Sequence, residues 1–177
     1  LNSAGLDLSG ISQEVGDTFR WSGRYAGDKS QAETLETRLN VFESFNPIVP
    51  SSLLNPEIVF CANMHPQVQS RVLNQCQPRR FSAVDTMNLW ISSTKNELSE
   101  ILRKADMLII NDDEVRMLGG MTSLHESSEA IRTGSALSGG RDAGCGPTMI
   151  IIKRGAEGVL ALIGDETLIL PGYPVDE

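Results

Sequence analysis

The chain has 177 residues, enough for one domain with a real core and too few for two large ones. Hydrophobic residues make up 40% and charged residues 21%, which excludes a disordered or fibrous chain. The net charge is −8, and no basic run interrupts that acidity, so the composition argues against nucleic acid as a partner.

The first recognisable pattern is Phe19, Trp21, Gly23 and Tyr25 alternating with Arg20, Ser22 and Arg24. A period of two predicts a strand with one apolar face. Turn residues follow over 26–32, among them Gly27, Asp28 and Ser30. Leu35, Thr37, Leu39 and Val41 then alternate with polar neighbours, which predicts a second strand over 34–42, paired with the first as a hairpin.

The pattern changes after Pro50. The continuous run Ile58-Val59-Phe60-Cys61-Ala62 predicts a strand buried on both faces of a parallel sheet. A helix is expected over 67–75, a short strand over 81–85, and an amphipathic helix over 93–105 with Ser93 or Thr94 as its cap. Met107 to Asn111 reads as a buried strand, followed by a helix from about Asp113 to Gly119-Gly120 and another over 123–137. Residues 138–147 are loop-like. Met149 to Ile152 is the most apolar strand, and 159–163 with 167–170 predict a hairpin turned at Gly164-Asp165. Strands alternating with helices imply an α/β fold with a parallel sheet and right-handed crossovers.

Ligands of such sheets bind beyond the carboxyl ends of the strands, so the residues just after each strand matter most. Asp85-Thr86-Met87-Asn88, Asn111-Asp112-Asp113-Glu114 and Lys153-Arg154-Gly155-Ala156-Glu157-Gly158 all fall there. Asn111 and Glu114 set an amide and a carboxylate one helical turn apart. Hard oxygens in that spacing suit Mg²⁺, and the same spacing is a helix capping box. Glycines at 155 and 158 permit close backbone approach to a nucleotide, or simply turn one strand into the next. Asp85 suits a place near a transferring phosphate or a strand-end cap. Asn63 suits a substrate contact or the cap of the helix at Pro66. His65 and His125 show no metal spacing and read as surface or capping residues. Trp21 and Trp90 read as packing residues. Cys61, Cys76 and Cys145 form no CxxC pair, so no disulfide framework or zinc site is expected, in keeping with a reducing cytoplasm. No apolar stretch is long enough to span a membrane. The ends, at Leu1 and in the extended segment 171–177, read as cuts in a longer chain.

Together the stretches FRWSGRY (19–25), TLETRLNVF (34–42), VDTMNLWI (84–91), ADMLIINDDEVRMLGG (105–120) and IIIKRGAEGVLAL (150–162) resemble the ribokinase-like (PfkB) carbohydrate kinases. The resemblance implies a parallel-sheet domain flanked by helices, residues 1–15 and 46–177, with a small β lid, residues 16–45. It implies ATP- and Mg²⁺-dependent phosphoryl transfer to a hydroxyl of a sugar or nucleoside. On it, Lys153, Gly155 and Gly158 match the nucleotide-binding turn, and Asn111 and Glu114 match the Mg²⁺/phosphate motif. Asp85, Asn88, Asn63, Arg20 and Trp21 fall near substrate or phosphate. The lid's open strand edges suit a homodimer. The family's Asp-x-x-Gly-Ala-Gly-Asp stretch, which carries the catalytic Asp, is not among these residues. That departure keeps a second expectation open, a non-catalytic module that binds a nucleotide or associates through the lid. A dinucleotide-dependent dehydrogenase is disfavoured, since no G-x-G-x-x-G opens a helix after a strand.

Overall fold

A computed structural model describes residues 2–25 and 32–174. Of the turn expected over 26–32, residues 26–31 lie outside the described residues, as do residue 1 and residues 175–177, and Ala32 begins a strand.

Two strands stand apart from the rest. β1 (Arg20–Tyr25) and β2 (Ala32–Arg38) pair antiparallel. Ser22 faces Glu36 and Gly23 faces Thr34, which leaves Leu35 as the extra residue of a bulge. The second strand ends at Arg38, not at Phe42 as the alternation suggested. Asn40 stops it by taking a positive φ of 51°, a region that Asn tolerates better than most side chains. Its Nδ2 donates to the Thr18 carbonyl at 2.7 Å, and Val41 N–H donates to the Asp17 carbonyl at 3.2 Å. Residues Asn40–Ser44 then form a 3-10 helix, and Phe42 stacks on Phe45 and meets Phe19 edge-on. The base of the strand pair is therefore tied together at both of its roots.

The main sheet has six strands in sequential order: β3 (Ile58–Cys61), β4 (Phe81–Asp85), β5 (Met107–Asn111), β6 (Met149–Lys153), β7 (Val159–Ile163) and β8 (Glu166–Leu170). β3 to β6 are mutually parallel, and β7 and β8 add antiparallel. Between the parallel strands run α1 (Pro66–Gln75), then α2 (Asn88–Ser93) with α3 (Lys95–Leu102), then α4 (Asp112–Gly119) with α5 (Leu124–Arg132).

Several predicted elements shift. The helix expected over 93–105 is α3, which ends earlier at Leu102, and the short α2 before it was not expected; Thr94 separates the two. That residue bonds its hydroxyl back to the Trp90 carbonyl at 3.1 Å instead of capping α3. α5 ends at Arg132, because Gly134 takes a positive φ that stops it. β3 is not buried on both faces. Val59 and Cys61 are buried under α1, but Ile58 is 44% and Phe60 56% exposed, because β3 is the sheet's edge and only one of its faces is covered.

The core lies where the helices meet the central strands. Leu98, Ile101, Leu108, Ile110, Ile131, Ile150 and Ile152 are fully enclosed. Alternate residues of β5 and β6 point into it, as the period of two requires. Replacing Ile150 by alanine is expected to cost about 3 kcal/mol through lost burial and a residual cavity. Urea unfolding would show a lower midpoint with an unchanged slope. No described helix is long and apolar enough to cross a membrane.

Candidate active site

Parallel register decides which strand ends meet. Asn111 lies beside Lys153 in the β5–β6 ladder, and Asp85 ends β4 one strand away. The Lys153 ammonium sits 3.4 Å from each carboxylate oxygen of Asp85. Three of the sequence-predicted residues therefore share one rim.

Glu114 completes the cluster from the first turn of α4. The Asn111 side chain accepts a bond from Glu114 N–H at 2.8 Å, and Glu114 Oε2 accepts from Asn111 N–H at 3.0 Å. This reciprocal capping box is the structural half of the two readings of Asn-x-x-Glu, and it holds the carboxylate at the rim. Glu114 is only 7% exposed. Burial pushes its carboxyl above the ordinary range. The Asn111 N–H and the Lys153 charge pull it down, the Asp85 charge pushes it up again, and the Asn88 N–H pulls it down. Asp85, Asn88, Asn111, Glu114 and Lys153 thus form one electrostatically coupled group. Thr86, one residue beyond Asp85, is 3% exposed and its hydroxyl has no hydrogen-bond partner.

The turn after β6 is built on its two glycines. Arg154 N–H donates to the Gly158 carbonyl at 2.8 Å and Gly158 N–H to the Gly155 carbonyl at 3.0 Å. Both glycines have positive φ, 55° and 90°. A Cβ on Gly155 would meet open space, whereas one on Gly158 would lie 2.1 Å from the Leu170 carbonyl oxygen. Gly158 therefore serves the packing of the turn onto the end of β8, and Gly155 keeps an open backbone face. Gly155→Ala is expected to cost about 1–2 kcal/mol, the left-handed penalty alone. Gly158→Ala adds a backbone clash and is expected to cost at least about 3 kcal/mol. Paired thermal melts would show the order.

The remaining candidates lie elsewhere. Asn63 is exposed and accepts a bond from Trp90 Nε1 at 2.9 Å; the cap of α1 is His65, whose Nδ1 accepts from Gln67 N–H at 3.2 Å. Trp90 also meets the His65 ring edge-on. A cavity of about 250 Å³ opens beside it, lined by Phe42, Phe45, His65, Val68 and Arg71 among others. Arg20 is exposed and 3.9 Å from Glu36, and Trp21 Nε1 donates to the Thr34 hydroxyl at 3.2 Å. Neither makes a described bond to the rim cluster. One residue that the sequence reading passed over is Gln69, buried at 0% exposure, whose amide reaches the ends of β3 and β4. Its signal was a polar side chain one turn before the apolar pair Val72 and Leu73, on the face that packs inward.

Among the described residues, no group of three or more His, Cys, Asp or Glu side chains could hold a metal unaided. The oxygens at the rim, from Asp85, Asn111 and Glu114, are hard donors. They suit a Mg²⁺ ion that keeps several waters and shares phosphate oxygens, the usual habit of that ion, rather than an all-protein cage.

No family model matches the sequence, and no curated protein matches it at the sequence level. Solved structures do match in three dimensions. The PfkB protein from Polaromonas sp. JS666 aligns over 98% of this chain and 60% of its own, with a TM-score of 0.66 and 17% identity. The adenosine kinase from Sinorhizobium meliloti aligns over 81% of this chain and 44% of its own (TM-score 0.63, 10% identity). The ribokinase from Thermotoga maritima aligns over 90% and 50% (TM-score 0.60, 16% identity). The chain thus spans between 44% and 60% of the length of these structures. This chain has a mostly parallel six-stranded sheet flanked by helices and a separate antiparallel strand pair, and it has the ribokinase-like fold.

Proposed function

We propose that this chain supplies the nucleotide-binding part of an ATP- and Mg²⁺-dependent kinase that phosphorylates a hydroxyl group of a sugar or nucleoside. The observation that carries this reading is the coupled group of Asp85, Asn111, Glu114 and Lys153 on the carboxyl rim of a parallel sheet. That rim is where such sheets bind ligands, and the solved structures of the same fold include sugar and nucleoside kinases.

Each residue then has a role. Lys153 meets phosphate oxygens as a point charge while Asp85 holds its ammonium in place. Gly155 lets the nucleotide approach the backbone of the turn, and Gly158 holds the turn in place. Asn111 and Glu114, already fixed by their capping box, would hold Mg²⁺ through its waters. When bound, that ion neutralises charge on the transferring phosphoryl group. Asp85 and Asn88 stand beside the phosphates. Asn63, bonded to Trp90 beside the cavity, lies on the acceptor side. Residues 16–45 act as the lid, with Arg20 and Trp21 on its strands, and closure would exclude water. The lid edge suits a homodimer, and the unpaired Cys61, Cys76 and Cys145 suit the cytoplasm. No residue of this chain is assigned as the catalytic base, because the Asp-x-x-Gly-Ala-Gly-Asp stretch is not among the 177 residues.

Coupled ADP release by the intact parent protein, across a panel of sugars and nucleosides, tests the reading. Turnover with one acceptor class supports it. Nucleotide binding without turnover on any acceptor points instead to the non-catalytic module that the missing stretch allows.

A further inference from the structure

We propose that Gln69 is the positioning residue of the nucleotide site, acting through Asp85. The inference rests on the kinase reading above and goes beyond it, to a residue that touches neither nucleotide nor metal.

Gln69 lies on α1 and is fully enclosed. The β3–β4 ladder ends at the Cys61–Val84 pair, and Ala62 and Asp85 are the next residues on each strand. At that point the Gln69 amide nitrogen donates to three carbonyls: Cys61 at 3.3 Å, Ala62 at 3.0 Å and Asp85 at 2.8 Å. Two hydrogens serve three acceptors, so one bond is shared. A single side chain thus stitches the ends of two strands just where their ladder stops. The Asp85 carbonyl is held by the shortest of the three bonds, and the Asp85 side chain leaves that same residue towards Lys153. The Ala62 bond fixes the residue before Asn63, whose side chain meets Trp90.

The arrangement carries a cost that packing alone does not explain. Gln69 Oε1 is buried with no hydrogen-bond partner. An apolar side chain of equal size would avoid that orphan oxygen but would strand three carbonyls at the rim.

The test is isothermal titration of the 177-residue chain with Mg²⁺ and a non-hydrolysable ATP analogue, set up as a double-mutant cycle. Gln69→Met keeps the volume and removes the donor. It is expected to weaken binding about tenfold, within the range for residues that orient a ligand-contacting group. In a Lys153→Ala background, where the Asp85–Lys153 pair is already gone, the same change is expected to weaken binding less than about twofold. Equal losses in both backgrounds would make Gln69 merely structural and overturn the proposal, as would no loss in either. Gln69→Glu supplies a second arm that survives if the Met variant does not fold. Its neutral carboxyl keeps one donor, and its ionised form faces carbonyl oxygens. Its affinity relative to wild type is therefore expected to fall as pH rises, and a flat ratio would count against the proposal. Wild type that binds no analogue would remove the kinase reading, and this inference with it. Wild-type binding left unchanged by Gln69→Met would remove this inference alone.

Discussion

Replacing Lys153 by alanine is expected to weaken binding of Mg²⁺ and an ATP analogue by about ten- to a hundredfold, with little change in stability. The affinity estimate follows from a charge-assisted bond to phosphate, worth about 1.5–3 kcal/mol in a partly desolvated site. The small stability effect follows from position. Lys153 is the last residue of β6, its side chain is 48% exposed, and its ion pair with Asp85 is longer than an ideal one. A half-exposed pair of that kind contributes at most about 1 kcal/mol. Lys153→Arg keeps the charge but not the compact shape, and is expected to recover only part of the loss. Calorimetric titration, with urea melts as the control, separates the two effects. A Lys153→Ala protein that binds as tightly as wild type would take the phosphate role away from this residue.

The second large effect concerns Glu114, where stability and metal use come apart. Glu114→Gln keeps an acceptor at the third residue of α4 and so keeps the capping box, at a cost of under about 0.5 kcal/mol. Glu114→Ala loses it and leaves buried N–H groups unpaired, at a cost of about 1–3 kcal/mol. Both variants remove the carboxylate and are expected to lose the Mg²⁺ dependence of nucleotide binding. The pH behaviour follows from the direction of the Glu114 shift. Its carboxyl titrates above the ordinary range because burial disfavours the charge. The stability it contributes is complete below the ordinary Glu value and is lost as pH rises through the raised one. Wild type is therefore expected to lose stability relative to Glu114→Gln across that interval. Melts from pH 4 upward would show it, and parallel curves for the two proteins would refute the burial argument.

The order of the elements was largely legible in the sequence. The apolar runs at 58–62, 107–111 and 149–152 and the short strand at 81–85 marked the parallel strands, and most of the helices between them followed from spacing. What failed has local causes. Leu39 and Val41 continue a period of two, but Asn40 between them bends the chain through a left-handed conformation and bonds Thr18. Nothing in alternation reveals a side-chain bond across 22 positions. Ile58 and Phe60 looked like core because their run is apolar, yet exposure depends on whether anything covers that face at the sheet's edge. The break at Thr94 reflects a hydroxyl bonded back to its own helix, an outcome that competes closely with capping.

The site was half legible. Strand-end residues could be named from the sequence, and parallel register does bring Asp85, Asn111 and Lys153 to one rim. The joining of Asn88 to that group through the Glu114 carboxylate needed three dimensions. So did Gln69, whose polar character on an apolar helix face acquires meaning only once the carbonyls it meets are known. Arg20 and Trp21 make their described bonds within their own strand pair.

The central claim is that Mg²⁺ and the ATP phosphates bind on the carboxyl rim formed by β4, β5 and β6. Backbone amide chemical shifts of the 177-residue chain, recorded while Mg²⁺ and a non-hydrolysable ATP analogue are added, test it most directly. The account predicts saturable shifts concentrated at Asp85 to Asn88, Asn111 to Glu114 and Lys153 to Gly158, lost in Lys153→Ala. Shifts confined to other surfaces, or none at millimolar analogue, would contradict it.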